Sequence, residues 1–89
     1  MEVLYRKVFL KDLKKLKNQP VYDKVFKFAF EILPEAKALK DISGIKAMTG
    51  YSKRYRIRFG DYRVGIELQG DMVDIRRVLH RRDFYRYFP

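Results

Sequence analysis

The apolar positions of this chain change period half-way along its length. In Phe9-Leu10-Lys11-Asp12-Leu13-Lys14-Lys15-Leu16, the residues Phe9, Leu13 and Leu16 recur at helical spacing and leave a lysine-rich back. Val21, Val25, Phe28 and Ile32 repeat the pattern, and Phe26, Phe30 and Leu33 widen the stripe beyond that of a surface helix. This second segment reads as the core helix, with Phe26, Phe28 and Phe30 all counted as core. After Gly50 the period falls to two. Tyr55, Ile57 and Phe59 alternate with Arg54, Arg56 and Arg58, and then Tyr62, Val64, Ile66 and Leu68 alternate with Arg63, Gly65 and Glu67. Gly60-Asp61 between the two runs is a turn pair, so the pattern predicts a hairpin with one dry face and one cationic face.

The flanking segments complete a small α+β fold. Val3-Leu4-Tyr5 reads as an edge strand, and Pro20 suits the start of the second helix, where a missing N–H costs little. Beyond Pro34, the residues Glu35 to Lys40 have helix propensity and predict a further turn or two. Ile45 to Met48 reads as a short strand or an extended lead-in. Met72 to Leu79 forms a third strand after the Gln69-Gly70-Asp71 turn, but its apolar residues do not alternate cleanly, since Val73, Ile75 and Leu79 share a parity with Arg77. A central, partly two-sided strand accounts for that. The aromatic tail from Arg82 to Pro89 is expected to pack on the sheet as a short helix or turn. The expected architecture is β-α-α-β-β-β: one domain, 1–89, a small antiparallel sheet with two N-terminal helices on one face and the arginines on an open opposite face.

Charge and missing residue types narrow the chemistry. The 89 residues carry 21 Lys and Arg against 11 Asp and Glu, a formal charge of +10, a self-repulsion that calls for a polyanionic or acidic partner. No long uncharged apolar span is present and the cations lie on strands as well as helices, which argues against a membrane. Without Cys there are no disulfides, thiolate zinc sites or cysteine nucleophiles. A single His leaves too few ligands for catalytic zinc, so metal-free and cofactor-free chemistry is expected. The start Met1-Glu2-Val3-Leu4-Tyr5-Arg6 does not have a signal-peptide pattern, and a cytoplasmic location is expected.

Arg54, Arg56, Arg58 and Arg63 lie on adjacent strands of one hairpin, so their guanidinium groups converge on one patch. A phosphate chain neutralises such a patch, and the planar guanidinium fork donates two hydrogen bonds to phosphate oxygens. The plainer reading is a solvated face of a half-buried sheet. His80 and Arg81 end the third strand, with Tyr85 a few residues on. Together these groups supply what metal-free RNA cleavage needs: a proton acceptor for the attacking 2′-OH, cations for the phosphorane, and a donor for the departing 5′-oxygen. An unperturbed imidazole titrates near pH ~6.5, which suits either proton role. A structural histidine and a packing or base-stacking tyrosine are the alternatives for His80 and Tyr85.

Tyr55-Arg56-Ile57-Arg58-Phe59-Gly60-Asp61-Tyr62-Arg63 resembles the Y-R-I-R-x-G-D-Y-R signature of the RelE/ParE toxin superfamily, and His80-Arg81-Arg82-Asp83-Phe84-Tyr85-Arg86 resembles its H-R-x-D-x-Y-R ending. Phe9 to Leu16 also resembles the first helix of these toxins, so the likeness spans nearly the whole chain. The resemblance implies a toxin of a type II toxin–antitoxin pair, held inactive by a cognate antitoxin in a hetero-oligomer. In the RelE branch it implies an endoribonuclease that cuts mRNA in the ribosomal A site. On the family pattern Arg56, Arg58, Arg63 and Arg81 bind phosphate and stabilise the phosphorane, Arg81 also serving leaving-group protonation, and Tyr85 stacks on a base or moves a proton. Some relatives carry Lys where this chain has Arg56 and Arg58. Arginine holds its proton more tightly, which shifts proton transfer to His80, the match of a catalytic His in some branches. Arg54 is assigned to RNA contact. Lys11, Lys14 and Lys15 read either as a solvated helix face or as a contact to 16S ribosomal RNA, and part of the Phe26, Phe28, Phe30 set is available to an antitoxin helix. Two other readings compete: the ParE branch, which shares the fold and poisons DNA gyrase, and a non-catalytic RNA-binding module.

Overall fold

The computed structural model describes residues 1–89. Its elements run β1 (Glu2–Tyr5), α1 (Lys7–Lys15), α2 (Tyr22–Lys27, continuing through a π turn at Phe28–Ile32 to a last turn at Leu33–Glu35), β2 (Ile45–Ala47), β3 (Arg54–Phe59), β4 (Tyr62–Gln69), β5 (Met72–His80) and α3 (Arg81–Tyr87). The strand order is β1-β5-β4-β3-β2. The hairpin of β3 and β4 stands where alternation puts it, with Arg58 opposite Arg63 and Ile57 opposite Val64. The sheet is mixed rather than purely antiparallel, because β1 pairs with β5 in parallel after the chain crosses over through α1 and α2.

Phe9, Leu13, Val25, Phe28 and Leu33 from the helices meet Ile57, Val64, Ile66, Val73, Ile75 and Val78 from the strands in one core. The broken alternation of β5 has a local cause. Ile66 faces Ile75 but the neighbouring Gly65 faces Arg77, so Arg76 is an inserted bulge residue. Val73 and Ile75 point into the core before the bulge and Val78 after it, while Arg77 and Leu79 pass to the opposite face.

Pro34 reshapes α2. It offers no N–H to an acceptor one turn back, and its ring crowds the preceding carbonyls. The helix widens into the π turn, and the Leu33 N–H reaches back to the Phe28 carbonyl. The Ala29 carbonyl then has neither Leu33 nor Pro34 as donor, and the Tyr5 hydroxyl supplies the bond at 2.7 Å. Burial raises the Tyr5 phenol above the ordinary tyrosine range. The helix ends at Glu35, short of the extra turns that propensity predicts: Ala36 is extended, and Leu39–Asp41 forms a separate 3₁₀ turn. Of the three phenylalanines read as core, Phe28 is buried, whereas Phe26 and Phe30 lie partly exposed in a row with Tyr22 and Tyr5.

The face expected to be open is closed at its centre. α3 crosses β4 and β5 there, and Phe84 and Phe88 are buried beneath it, apart from the main core.

Candidate functional site

Arg6, Arg54, Arg56, Arg58, Arg63, Arg76 and Arg77 share the face under α3, and carboxylates pair some of them and leave others without an acidic partner. At one end Asp74, fully buried, accepts from Arg6 at 2.7 to 3.0 Å, and Glu67 accepts from Arg54 at 3.2 Å and Arg76 at 3.0 Å. Burial alone would raise the Glu67 carboxyl, but the bonds from Gln69 and Arg54 and the nearby Arg54 and Arg76 charges outweigh it and hold the group below its usual range. Arg6 is raised by its bond to Asp74. At the other end Arg56 and Arg58 have no carboxylate partner. The charge left unneutralised on this face is therefore concentrated at one end of β3.

α3 forms a wall beside that end. The Arg81 N–H donates to the Asp61 carbonyl at 2.7 Å, which ties the start of the helix to the β3–β4 turn. The Arg81 guanidinium is 61% exposed and 3.9 Å from an equally solvated Asp61 carboxylate, a contact too loose to neutralise it. Tyr85 lies one helical turn on, hence on the same side as Arg81, and is 55% exposed. The far end of α3 is pinned over Gly65 by Phe88. Arg77 reinforces it, standing 5.3 Å from the Tyr87 ring while donating to Asp12 of α1 at 2.7 and 3.1 Å. An open groove of about 460 Å³ remains between α3 and the β2–β3 edge, with Arg56 and Tyr85 both lining it.

Residues 3–85 match the family described as ParE toxin of type II toxin-antitoxin system. The chain belongs to the RelE/ParE toxin family. Toxin RelE3 of Methanocaldococcus jannaschii is 44% identical over the whole of both chains. The toxin of the RelB-RelE antitoxin–toxin complex from Methanococcus jannaschii has the same fold, with 42% identity, a TM-score of 0.78, and 97% of this chain and 99% of that one covered. The RelBE2 toxin–antitoxin complex from Mycobacterium tuberculosis aligns at 25% identity and a TM-score of 0.65, covering 90% and 96%.

The other residues that the RelE/ParE pattern nominates are placed differently. Arg63 is on the arginine face but only 8% exposed, and its Nη1 donates to the Gly60 and Tyr62 carbonyls at 2.8 and 3.0 Å. It braces the turn from beneath, with a buried Nε that has no partner. His80 is on the face packed by α1 and α2: it stands opposite Tyr62 in the sheet, and the two rings meet edge-on at 5.3 Å. Its Nδ1 accepts from the Arg82 N–H at 3.1 Å and from Arg82 Nε at 3.3 Å, so it caps α3. The structure brings Arg56 and Tyr85 to one groove, with Arg58 on the same strand face as Arg56 and Arg81 one helical turn before Tyr85, and sets His80 on the other face of the sheet. The β5 bulge is the reason. Strict alternation from Asp74 would have kept position 80 on the arginine face, and the inserted Arg76 shifts it across. Arg54 is held by Glu67, with its guanidinium 5.6 Å from the Tyr51 ring. Lys11, Lys14 and Lys15 form a separate cluster on α1, and Lys15 borders a second cleft with His80 and Arg82.

The residue that sequence reading passed over is Tyr51. It is 52% exposed in the β2–β3 connection and lines the same groove as Arg56 and Tyr85. An aromatic beside the Gly50 turn was the available signal.

Proposed function

We propose that this toxin is a metal-free endoribonuclease that cuts messenger RNA on the ribosome. The observation that carries the reading is the sorting of charge: cations near Asp74 and Glu67 are paired, while Arg56 and Arg58 have no acidic partner, Arg81 has only a loose, solvated one, and Arg56 lines the groove with Tyr85. Free guanidinium groups converging on one point are costly without an anion, and a phosphodiester supplies one. In the proposed reaction the ribose 2′-oxygen bonds to phosphorus and the bond to the 5′-oxygen breaks. A 2′,3′-cyclic phosphate and a 5′-hydroxyl result, the leaving oxygen taking up the proton that the 2′-OH gives up. Arg56 and Arg58 grip the phosphate and oppose the growing phosphorane charge. Arg81 stabilises the leaving oxygen, Arg63 adds a fixed cation beneath the turn, and the Tyr85 hydroxyl relays the proton.

A cognate antitoxin is the proposed protein partner, on the strength of the RelB complexes in which similar toxins are found. No helix is long and apolar enough to cross a membrane, and the proposed site of action is the cytoplasm. The test is to map 5′ ends on translated messages during expression of the wild type, Arg56→Ala, Arg81→Ala and Tyr85→Phe. New 5′-hydroxyl ends from the wild type, lost in the variants while melting and antitoxin binding persist, are expected. Equal cleavage by all four would sink the assignment. The ParE description of the matching family supports a second reading, a gyrase poison. Intact messages with double-strand DNA breaks would select it.

A further inference from the structure

The groove holds an exposed aromatic ring that the cleavage chemistry does not use. Tyr51 stands on the β2–β3 connection and lines the groove together with Tyr85 of α3 and Arg56 of β3. Its position is built, not incidental. The Tyr51 N–H donates to the Met48 carbonyl at 3.2 Å and the Met48 N–H to the Arg54 carbonyl at 2.8 Å, so the connection closes on itself. Gly50 at φ +83° and Lys53 at φ 63° take the left-handed conformations that the tight path needs. Arg54 backs one side of the ring, and Glu67 in turn holds Arg54 at 3.2 Å. A pre-oriented ring, covered on one side by a cation and still 52% exposed, has a π-face to offer.

We propose that Tyr51 is a nucleobase-stacking subsite, taking a base of single-stranded RNA that flanks the phosphate held by Arg56; the proposal rests on the ribonuclease reading of the same groove. Unpaired RNA presents alternating bases and phosphates. A groove lined by a guanidinium without an acidic partner and by an exposed aromatic ring matches one such repeat. The same pairing disfavours a folded acidic protein as the occupant of this spot, because two half-exposed tyrosine rings beside one cation provide little to neutralise several carboxylates. Arg54 acts here as a positioning residue: it fixes Tyr51 rather than contacting RNA itself.

The test uses the full-length toxin and a 2′-O-methyl hexaribonucleotide, which cannot attack its own phosphates, at low salt. Affinity is measured for the wild type, Tyr51→Phe and Tyr51→Ala, and again with an abasic nucleotide introduced at each position in turn. Tyr51→Ala is expected to weaken binding about ten-fold and Tyr51→Phe less than about two-fold. At one position, loss of the base should weaken the wild type about ten-fold and Tyr51→Ala hardly further, since both changes remove the same stack. Losses that simply add, equal affinity of wild type and Tyr51→Ala, or no binding by the wild type would each overturn the subsite. So would a Tyr51→Ala defect confined to antitoxin binding. The two readings fail separately. If the base-specific loss is seen but no 5′-hydroxyl ends appear, cleavage falls and the subsite stands. If Arg56-dependent ends appear without any Tyr51 effect, the subsite falls and cleavage stands.

Discussion

Phe88 occupies the space that a side chain at Gly65 would need. A Cβ built on Gly65 meets Cγ and Cδ2 of the Phe88 ring at 2.7 Å, closer than real contacts come. Together with buried Phe84, this contact seats α3 on the sheet, and α3 carries both Arg81 and Tyr85. Gly65→Ala is therefore expected to drive Phe88 from its seat and lower stability by about 1–3 kcal/mol, the usual range for overpacking. Adding Phe88→Leu should recover part of the loss. Urea titration of the two single variants and the double variant checks this; simple additivity would mean that the residues do not meet.

The carboxylate of Asp12 is 5% exposed and serves three donors: Arg77 Nε at 2.7 Å, Arg77 Nη2 at 3.1 Å, and the Val78 N–H at 3.2 Å. It satisfies the outer edge of β5 where β1 has already ended, and its bond raises the Arg77 guanidinium further above its ordinary range. Asp12→Ala leaves a guanidinium and a buried N–H without partners and is expected to cost about 3 kcal/mol, the low end for a broken buried pair because Arg77 is partly exposed. Amide exchange should rise first in Val78 and α3. Unchanged exchange there would count against the link.

His80 Nδ1 lies as many bonds from Cβ as the side-chain oxygen of asparagine, a preferred helix cap. His80→Asn should keep the melting temperature and any RNA cleavage close to wild type, while His80→Ala loses about 1 kcal/mol of stability. Were His80 the general base, both variants would lose about 10²–10⁴ in cleavage rate. Single-turnover cleavage by the two variants distinguishes cap from base.

Glu67 sits below the usual carboxylate range because Gln69, Arg54 and Arg76 favour its charged form more than burial opposes it. A carboxyl with a lowered folded value contributes stability above its unfolded value, near pH ~4.3, and loses it as the pH falls through the folded value. The urea midpoint of the wild type should accordingly drop more steeply below about pH 4 than that of Glu67→Gln. Parallel acid limbs would show that Glu67 is not coupled to folding.

The helix stripes, the β3–β4 hairpin and the row of Arg54, Arg56 and Arg58 on one strand face were legible from the residues, because helical and strand periods are properties of the local backbone. The bulge at Arg76 was visible only as a flaw in alternation, and its consequence, His80 on the far side of the sheet from the arginines, was not visible at all. A register shift is decided by the partner strand, and β5 takes one partner from the strand just before it and the other from the start of the chain.

The order of residue types thus determined the fold class, the sidedness of the hairpin and an excess of cations in search of an anion. Tertiary structure decided which cations remain free, by setting Asp74 and Glu67 beside Arg6, Arg54 and Arg76 and nothing acidic beside Arg56 and Arg58. It also brought Tyr51 and Tyr85 to one groove from segments separated by three strands. Periodicity follows from bonds between neighbours along the chain, whereas neutralisation and juxtaposition depend on residues that become neighbours only when the sheet is assembled.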